Sequence, residues 1–397
     1  RQMCIRDRVR PITQVETVAV RETLGRVIAR DLKSRVAVPN HNNSAMDGYA
    51  LRGGDLPPDG FQEFQVVGKS MAGEPFSGSV EQGQCVRIMT GAVMPEGTDT
   101  VVMQERVTLS GNMASVGHRE KLGANVRAAG EDLKPGDVAI AAGTRVGPSH
   151  LGLAASLGFA ELPVTRRPRV AFFSNGDELR SVGDSIGLGE VYDSNRYTLY
   201  GMLAEDGAEM VDLGIVRDDP LAIRRAFLDA AGCADMVITS AGASVGEADY
   251  VRDTLQELGA VTFWKVAIKP GRPLSFGTVG ESLFFGLPGN PVSVMVTYEL
   301  FVRRALRRLC GEREGVPLVM QVPAATDLKK RPGRKEYQRG ILELDAAGRT
   351  VVRSTGDQGS GILHSMSMAN CYIILPDEST VAVAGDLVEV RPFCSAI

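Results

Sequence analysis

Asp235-Met236-Val237-Ile238-Thr239-Ser240 is an apolar run of strand length. Ala241-Gly242-Ala243-Ser244-Val245-Gly246-Glu247-Ala248-Asp249-Tyr250 follows it as a loop of small residues. A polar–apolar helical pattern runs from Val251 to Leu258. Next come Trp264-Lys265-Val266-Ala267-Ile268-Lys269-Pro270-Gly271-Arg272-Pro273 and Gly286-Leu287-Pro288-Gly289-Asn290-Pro291. Strand, small-residue turn and helix is the build that sets backbone N–H groups against an anion. With Asp249 in the loop and Lys265, Lys269 and Arg272 close behind, the stretch reads as a site for a phosphate-bearing ligand on an α/β unit.

The same alternation extends upstream. Arg169–Phe173 reads as a strand, followed by the loop Ser174-Asn175-Gly176-Asp177-Glu178. Asp193-Ser194-Asn195 opens a helix as its N-cap. Glu209–Val216 is a strand, and Pro220 starts the next helix, where proline is favoured. Strands are expected near Val261 and Leu283, and a last helix from Val292 to Leu309. Strands alternating with helices predict a parallel sheet covered on both faces. Ligands of such sheets bind beyond the carboxyl ends of the strands. Ser174–Glu178, Ser240–Asp249 and Pro288–Pro291 are therefore expected on one edge.

The flanks read differently. Val15–Ala29 is strand-like with a break at Gly25, and Ser34–Pro39 is extended. Asp47-Gly48 is a turn signal before an alternating strand. Short strands and glycines from Leu51 to Ile140 indicate a small β unit. Its strands are Phe64–Val67, Cys85–Met89, Thr100–Val102, Met113–Val116 and Val138–Ile140. Pro148–Leu157 is helical, and a proline-rich hinge runs from Pro163 to Pro168. From Pro317 to Ile397 the chain returns to β structure, a small barrel or sandwich. The class expected is multidomain α/β. A central three-layer unit with a parallel or mixed sheet spans residues 167–312. An N-terminal unit is split between 9–47 and 141–166, an inserted β unit covers 48–140, and a C-terminal β-barrel-like unit covers 313–397. Residues 1–8 lack periodicity and are left out of this reading.

Composition narrows the function. Lys plus Arg number 44 against 48 Asp plus Glu, a net charge of −4, which argues against bulk nucleic-acid binding. Arg303, Arg304, Arg307 and Arg308 share one helical pattern and read as a solvated face. Lys329, Lys330, Arg331, Arg334 and Lys335 read as solvated surface or as phosphate contacts. None of the six cysteines falls in a C-x-x-C pair, and their sparse spacing suits a reducing cytoplasm. No apolar run reaches the ~20 residues of a membrane span.

Asp47, Asp132, Glu178, Asp218 and Asp249 supply carboxylates in or beside these loops. Carboxylates beside a phosphate site suit Mg²⁺, which takes oxygen ligands. Lys265, Lys269 and Arg272 answer a phosphate or an oxyanion. Thr90 and Ser360 offer hydroxyls. The residues alone give an α/β protein with a phosphate- or nucleotide-binding loop and a divalent metal.

At these residues the chain resembles the molybdopterin molybdenumtransferase family, the bacterial MoeA proteins and the E domain of gephyrin. The stretches that carry the likeness are Ser44–Ala50, Met89–Ala92, Gly130–Asp132, Gly176–Leu179, Tyr192–Arg196, Ser244–Tyr250, Ile268–Pro273 and Gly286–Ser293. They occur in the family's order from about Val15 to the C-terminus, and together they are highly specific. The resemblance implies a molybdopterin-binding central unit. It implies insertion of molybdate into adenylylated molybdopterin with Mg²⁺, releasing AMP and giving molybdenum cofactor. It also implies a cytoplasmic homodimer of four-domain subunits, whose discontinuous N-terminal unit dimerises. The molybdopterin adenylyltransferase and apo-molybdoenzymes are further partners it admits, without nucleic acid or membrane.

Carried over, the family's positions fall on Asp47, Thr90, Asp132, Glu178, Asp218, Asp249, Lys265 and Lys269 as catalytic. Gly242, Ser244, Gly246, Arg272, Pro288, Asn290, Pro291, Arg339 and Ser360 are expected to bind substrate, and Asp249, Glu178 and Asp218 to place the metal. Asp47, Thr90 and Asp132 are expected from the second subunit. The chain departs from the pattern at Asn175, Ala241 and Ala243, and at 1–8, where the family has a helical segment of the dimerising unit. A lone adenylyltransferase and a gephyrin-like scaffold are the rival readings. The flanking β regions count against the first, and the full set of carboxylates and lysines against the second.

Overall fold

The computed structural model describes Ile5 and residues 8–117, 121–241 and 250–393. Its centre is a six-stranded mixed sheet in the spatial order Glu209–Val216, Arg169–Asn175, Met236–Ser240, Ser282–Leu287, Pro273–Val279, Gly259–Lys265. The first four run parallel, and Pro273–Val279 is antiparallel to both its neighbours.

Alternation along each strand feeds two cores. Val170 and Phe172 face one side with Leu199, Leu203, Val292 and Val296 from helices Ser194–Glu205 and Pro291–Thr297. Ala171 and Phe173 face the other with Ile223, Phe227, Val251 and Leu255 from helices Pro220–Cys233 and Tyr250–Leu258. A strand's period of two places successive side chains in opposite layers, so this is the three-layer build expected. Each fully buried Phe of these layers is worth about 1.5–3 kcal/mol of transfer free energy.

Several readings change. Pro273–Val279 is a strand that the sequence pattern hides behind proline and glycine. Gly277 is there because the neighbouring strand comes close: a Cβ on it would lie 2.2 Å from the Ala260 carbonyl oxygen. The last helix is interrupted by a π-turn, Tyr298–Val302, before Arg303–Leu309. Arg303 does not lie on a solvated face. It is buried, with Nε 3.0 Å from Asp206 Oδ2 and its other nitrogens on Glu299 and Glu205. Tyr298 donates its hydroxyl to the same Asp206 oxygen at 2.7 Å.

In the N-terminal part, Val15–Ala19 pairs antiparallel with Glu161–Thr165. The first half of the supposed hinge Pro163–Pro168 is therefore strand. On the ribbon's other edge Ile28 bridges Val164, and the Pro163 carbonyl accepts the Ala29 N–H. A six-stranded sheet contains Gly48–Leu51, Phe61–Ser70, Gln84–Ile88, Thr100–Met103, Val107–Ser110 and Met113–Gly117. Val138–Ile140, read with that unit, instead pairs with Leu32–Lys33 and packs with Ile28, Ala154 and Leu162.

The C-terminal sheet runs Ile268–Lys269, Lys335–Leu344, Cys371–Leu375, Leu387–Pro392, Met320–Pro323, with Thr350–Ser354 on Lys335–Leu344. A bridge from Ala324 to Val352 brings its ends together, which gives the barrel-like curl. Its edge strand, Ile268–Lys269, comes from the central part of the chain, so the C-terminal sheet is stitched to the region of the lysines.

Candidate functional site

The parallel strands end together. Ser174 is in register with Ser240, Ser240 with Leu287, and Asn175 with Val216. Gly286 pairs with Ser275, and Lys265 with Pro273. Glu178, Asp218, Lys265, Arg272 and the Pro288–Asn290 turn therefore leave one edge of one sheet. Glu178 and Asp218 are exposed there, as are Lys265 and Arg272. Gly242, Ser244, Gly246 and Asp249 lie outside the described residues.

Local hydrogen bonds tie these loops down. The Asp218 N–H donates to Asp177 Oδ1 at 3.2 Å, joining the first loop to the second. Asn175, where the family pattern differs, donates from Nδ2 to the Val216 carbonyl at 3.1 Å. Gly176 has φ +152°, and a Cβ there would lie 2.5 Å from Glu178 Oε2, because the Glu178 carboxylate folds back over it. The positive φ is a conformation that glycine adopts readily. Pro288 is buried, and Pro291 opens its helix at the first position, where its missing N–H costs nothing.

The lysines differ in setting. Lys269 Nζ donates to Glu336 Oε1 at 2.6 Å, and Glu336 is 3% exposed. Arg339, three residues on, is fully buried, with its guanidinium on the Ser365 hydroxyl and on loop carbonyls 357–359. Burial pulls its proton affinity below that of a free guanidinium. It lies beneath the loop that carries Ser360, and the Ser360 carbonyl accepts the Val292 N–H at 3.1 Å. Of the basic loop, Lys330 is also buried, donating to the Asp377 and Ser379 carbonyls.

Asp47 and Thr90 form a second constellation. Asp47 Oδ1 accepts from the Thr90 N–H at 2.7 Å and from its hydroxyl at 2.8 Å. Those two bonds, the backbone one first, hold the carboxyl below its ordinary range, and the charge of Arg87 acts in the same direction. Arg87 in turn stacks over Tyr49 at 5.0 Å. Asp132 sits in an exposed loop laced to this region: its N–H bonds the Val38 carbonyl, and the Ala129 N–H bonds Asn42 Oδ1. A depressed carboxyl stabilises the fold above its unfolded titration range and loses that contribution as pH falls. Thr90→Val keeps the backbone donor and removes the hydroxyl. The Asp47 titration followed by NMR is expected to move up toward an ordinary carboxylate, and an unmoved curve would remove the hydroxyl from the account.

Two cavities lie elsewhere in the molecule. A cavity of about 450 Å³ lies between the Arg303–Leu309 helix and Phe393, and one of about 980 Å³ at the amino edge of the central sheet, by Gln14 and Asp235. Both are away from the edge where the charged loops gather.

Three family models match the chain in order: the MoeA N-terminal region, domains I and II, over 2–158; the probable molybdopterin binding domain over 178–308; and the MoeA C-terminal region, domain IV, over 321–393. A molybdopterin molybdenumtransferase of Haemophilus influenzae is 42% identical over 96% of this chain and 94% of its own length. The chain belongs to the molybdopterin molybdenumtransferase (MoeA) family. A relative of the same name from Nostoc is 35% identical over 91% of the chain and 85% of its own length. Gephyrin of Dictyostelium discoideum is 32% identical over 95% of the chain, which spans 59% of that protein. The crystal structure of a MoeA protein from Pyrococcus horikoshii superposes with a TM-score of 0.86 at 26% identity, covering 99% of this chain and 98% of that one.

Family membership makes the donor set worth testing against Mg²⁺. Among the described residues, no three His, Cys, Asp or Glu side chains gather as a metal site. Glu178 and Asp218 come from neighbouring loops and offer only carboxylate oxygens, the donor type of a hard cation that completes its shell with water and phosphate. Asp249 would be a third such donor. The residues fit in kind.

Sequence reading gave no role to Glu336 or to the serines at the strand ends, and took Asn195 only as part of a helix cap. No helix among the described residues is long and apolar enough to cross a membrane.

Proposed function

We propose that this chain is a molybdopterin molybdenumtransferase that inserts molybdate into adenylylated molybdopterin, releasing AMP and leaving molybdenum cofactor. The observation that carries the reading is 42% identity to a molybdopterin molybdenumtransferase along 96% of the chain. It is supported by carboxylates and cations gathering at one sheet edge.

The division of labour is electrostatic. Lys265, Lys269 and Arg272 offset the charge of molybdate and of the substrate's phosphates, as pre-placed cations do where negative charge develops. Pro288, Asn290 and Pro291 shape one wall of the site, and the small-residue stretch Gly242–Gly246, as read from the sequence, is assigned the phosphate on its N–H groups. Arg339 holds the loop that presents Ser360. Asp249, Glu178 and Asp218 would hold Mg²⁺, which when bound supplies charge neutralisation at the phosphoanhydride. Scission of that bond is phosphoryl-type chemistry, governed by positioning and charge. Asp47, Thr90 and Asp132 enter from a second copy, so the working unit is a cytoplasmic homodimer.

The test is AMP release from adenylylated molybdopterin by purified protein with Mg²⁺. Release that depends on molybdate, with a product that activates an apo-molybdoenzyme, is the expected result. Folded dimer that releases none overturns the reading. Size-exclusion mass should show twice the 42.4 kDa of the chain.

A further inference from the structure

We propose that the Asp193–Asn195 turn is a positioning hub that holds three loops of the carboxyl edge in register, a role that rests on the reading given under Proposed function. Capping alone does not account for it. Asp193 Oδ1 accepts the Arg196 N–H at 3.2 Å, as an N-cap should. The same oxygen also accepts from the Ser174 hydroxyl at 2.9 Å. Ser174 and Ser240 oxygens lie 2.8 Å apart. A hydroxyl has one proton and a carboxylate has none to give. Ser174 therefore donates to Asp193, and Ser240 donates to Ser174. The chain Ser240–Ser174–Asp193 joins the ends of two adjacent strands, immediately before the loops that follow them.

All three side chains are buried, at 1%, 0% and 2% exposure. The second carboxylate oxygen makes no hydrogen bond among the described residues, and Arg196 Nε lies 3.7 Å from it. A buried carboxylate is costly where a hydroxyl would cap equally well. The next helix shows a plain cap: Asp219 is exposed and accepts from the Ala222 N–H. At this less favourable place Asp193 reaches Ser174 directly and Ser240 through it.

Asn195 supplies the third tie. Its Nδ2 donates to the Gly289 carbonyl at 2.7 Å, across the edge to the Pro288–Pro291 loop. Asn290, the cap of the helix that follows, makes no side-chain cap bond, so the loop is held from outside. One turn thus fixes the departures of residues 176–178, of the segment after Ser240, and of 288–291.

The test uses Asn195→Ala and Asp193→Ser, the latter keeping a capping oxygen but losing the reach to Ser174. Two quantities are read: KM for adenylylated molybdopterin, and amide exchange in peptides covering 285–295. Each variant is expected to raise KM by about three- to tenfold, the worth of one hydrogen bond, with a smaller change in kcat. Asn195→Ala is expected to speed exchange at the Gly289 turn while the thermal midpoint stays near that of the parent. Unchanged KM and exchange in Asn195→Ala overturn the hub. So does an Asp193→Ser protein that matches the parent in KM, for that residue would be a cap alone. If the parent releases no AMP, the functional reading fails by itself, and exchange at 285–295 in Asn195→Ala still decides the hub.

Discussion

Lys269→Met is expected to lower molybdate-dependent AMP release by about 10²–10³-fold, the size seen when one pre-placed donor to developing negative charge is removed. Lys269 is suited to that part by its setting. Its side chain is 39% exposed at the carboxyl edge, and its nitrogen is fixed 2.6 Å from a carboxylate that is 3% exposed. A lysine on four rotatable carbons ordinarily spends entropy to hold one position. Here the C-terminal sheet supplies the restraint, through the pairing of Lys269 with Glu336 in register. The substitution has a second consequence that must be separated from the first. It leaves the buried Glu336 carboxylate without its cation, and an uncompensated buried charge destabilises the fold. Lys269→Met should therefore melt below the parent. Lys269→Met with Glu336→Gln should recover the melting temperature and not the turnover. Turnover within threefold of the parent in the single variant would remove the cation from the reaction. Recovery of turnover in the double variant would make Lys269 a structural partner of Glu336.

That pair also marks the limit of what the chain disclosed before its structure was seen. Local rules sufficed where the decisive contacts are local. Asp193 as a cap, Pro220 at a helix start and the strand Glu209–Val216 all rest on neighbours within a few residues, and the structure has them. The common edge of the loops was legible for the same reason, since parallel strands with helical crossovers leave little choice. Contacts between distant segments were not legible. Glu336 reaches Lys269 across 67 positions, and Asn195 reaches Gly289 across 94. Nothing in either neighbourhood specifies the other. Pro273–Val279 was missed because the residues that allow it, Gly277 above all, serve a close strand approach and resemble loop residues in isolation. Arg303 was misread because a run of four arginines at helical spacing gives no sign of Asp206, almost a hundred positions upstream. The resemblance named the candidate residues. The structure adds which neighbours hold them.

Arg339→Met is expected to cost about 3–5 kcal/mol, and Arg339→Lys is expected to recover only part of it. Arg339 is the largest fully buried side chain among the described residues. Its Nε donates to the Ser365 hydroxyl at 2.8 Å, and its two terminal nitrogens reach the carbonyls of Gln358 at 3.2 Å, Asp357 at 3.3 Å and Gly359 at 2.9 Å. Gln358 answers by accepting the Arg339 N–H at 2.8 Å. A loop with few apolar residues is thus wound around one planar cation. Methionine fills much of the space and donates nothing, so three carbonyls and a hydroxyl lose their donor. Each such loss is worth about 1–3 kcal/mol when the group stays buried. The sum is smaller because the loop can turn some carbonyls to water. Lysine brings charge but a single donor point, and it cannot address acceptors spread around a fork. The effect should reach the site. Ser360 follows directly, and its carbonyl receives the first free N–H of the helix behind the Pro288–Asn290 turn. A loop that relaxes releases that N–H, so KM should rise together with the fall in stability. Because the chain has several cores, the check is the denaturant midpoint of each resolved transition, not one global free energy. Arg339→Met with parental midpoints would show that the loop stands without the guanidinium. Parental midpoints with lost turnover would move Arg339 out of the scaffold and onto the substrate. A joint loss in both, only partly mended by lysine, is what a buried fork beneath a binding loop should give.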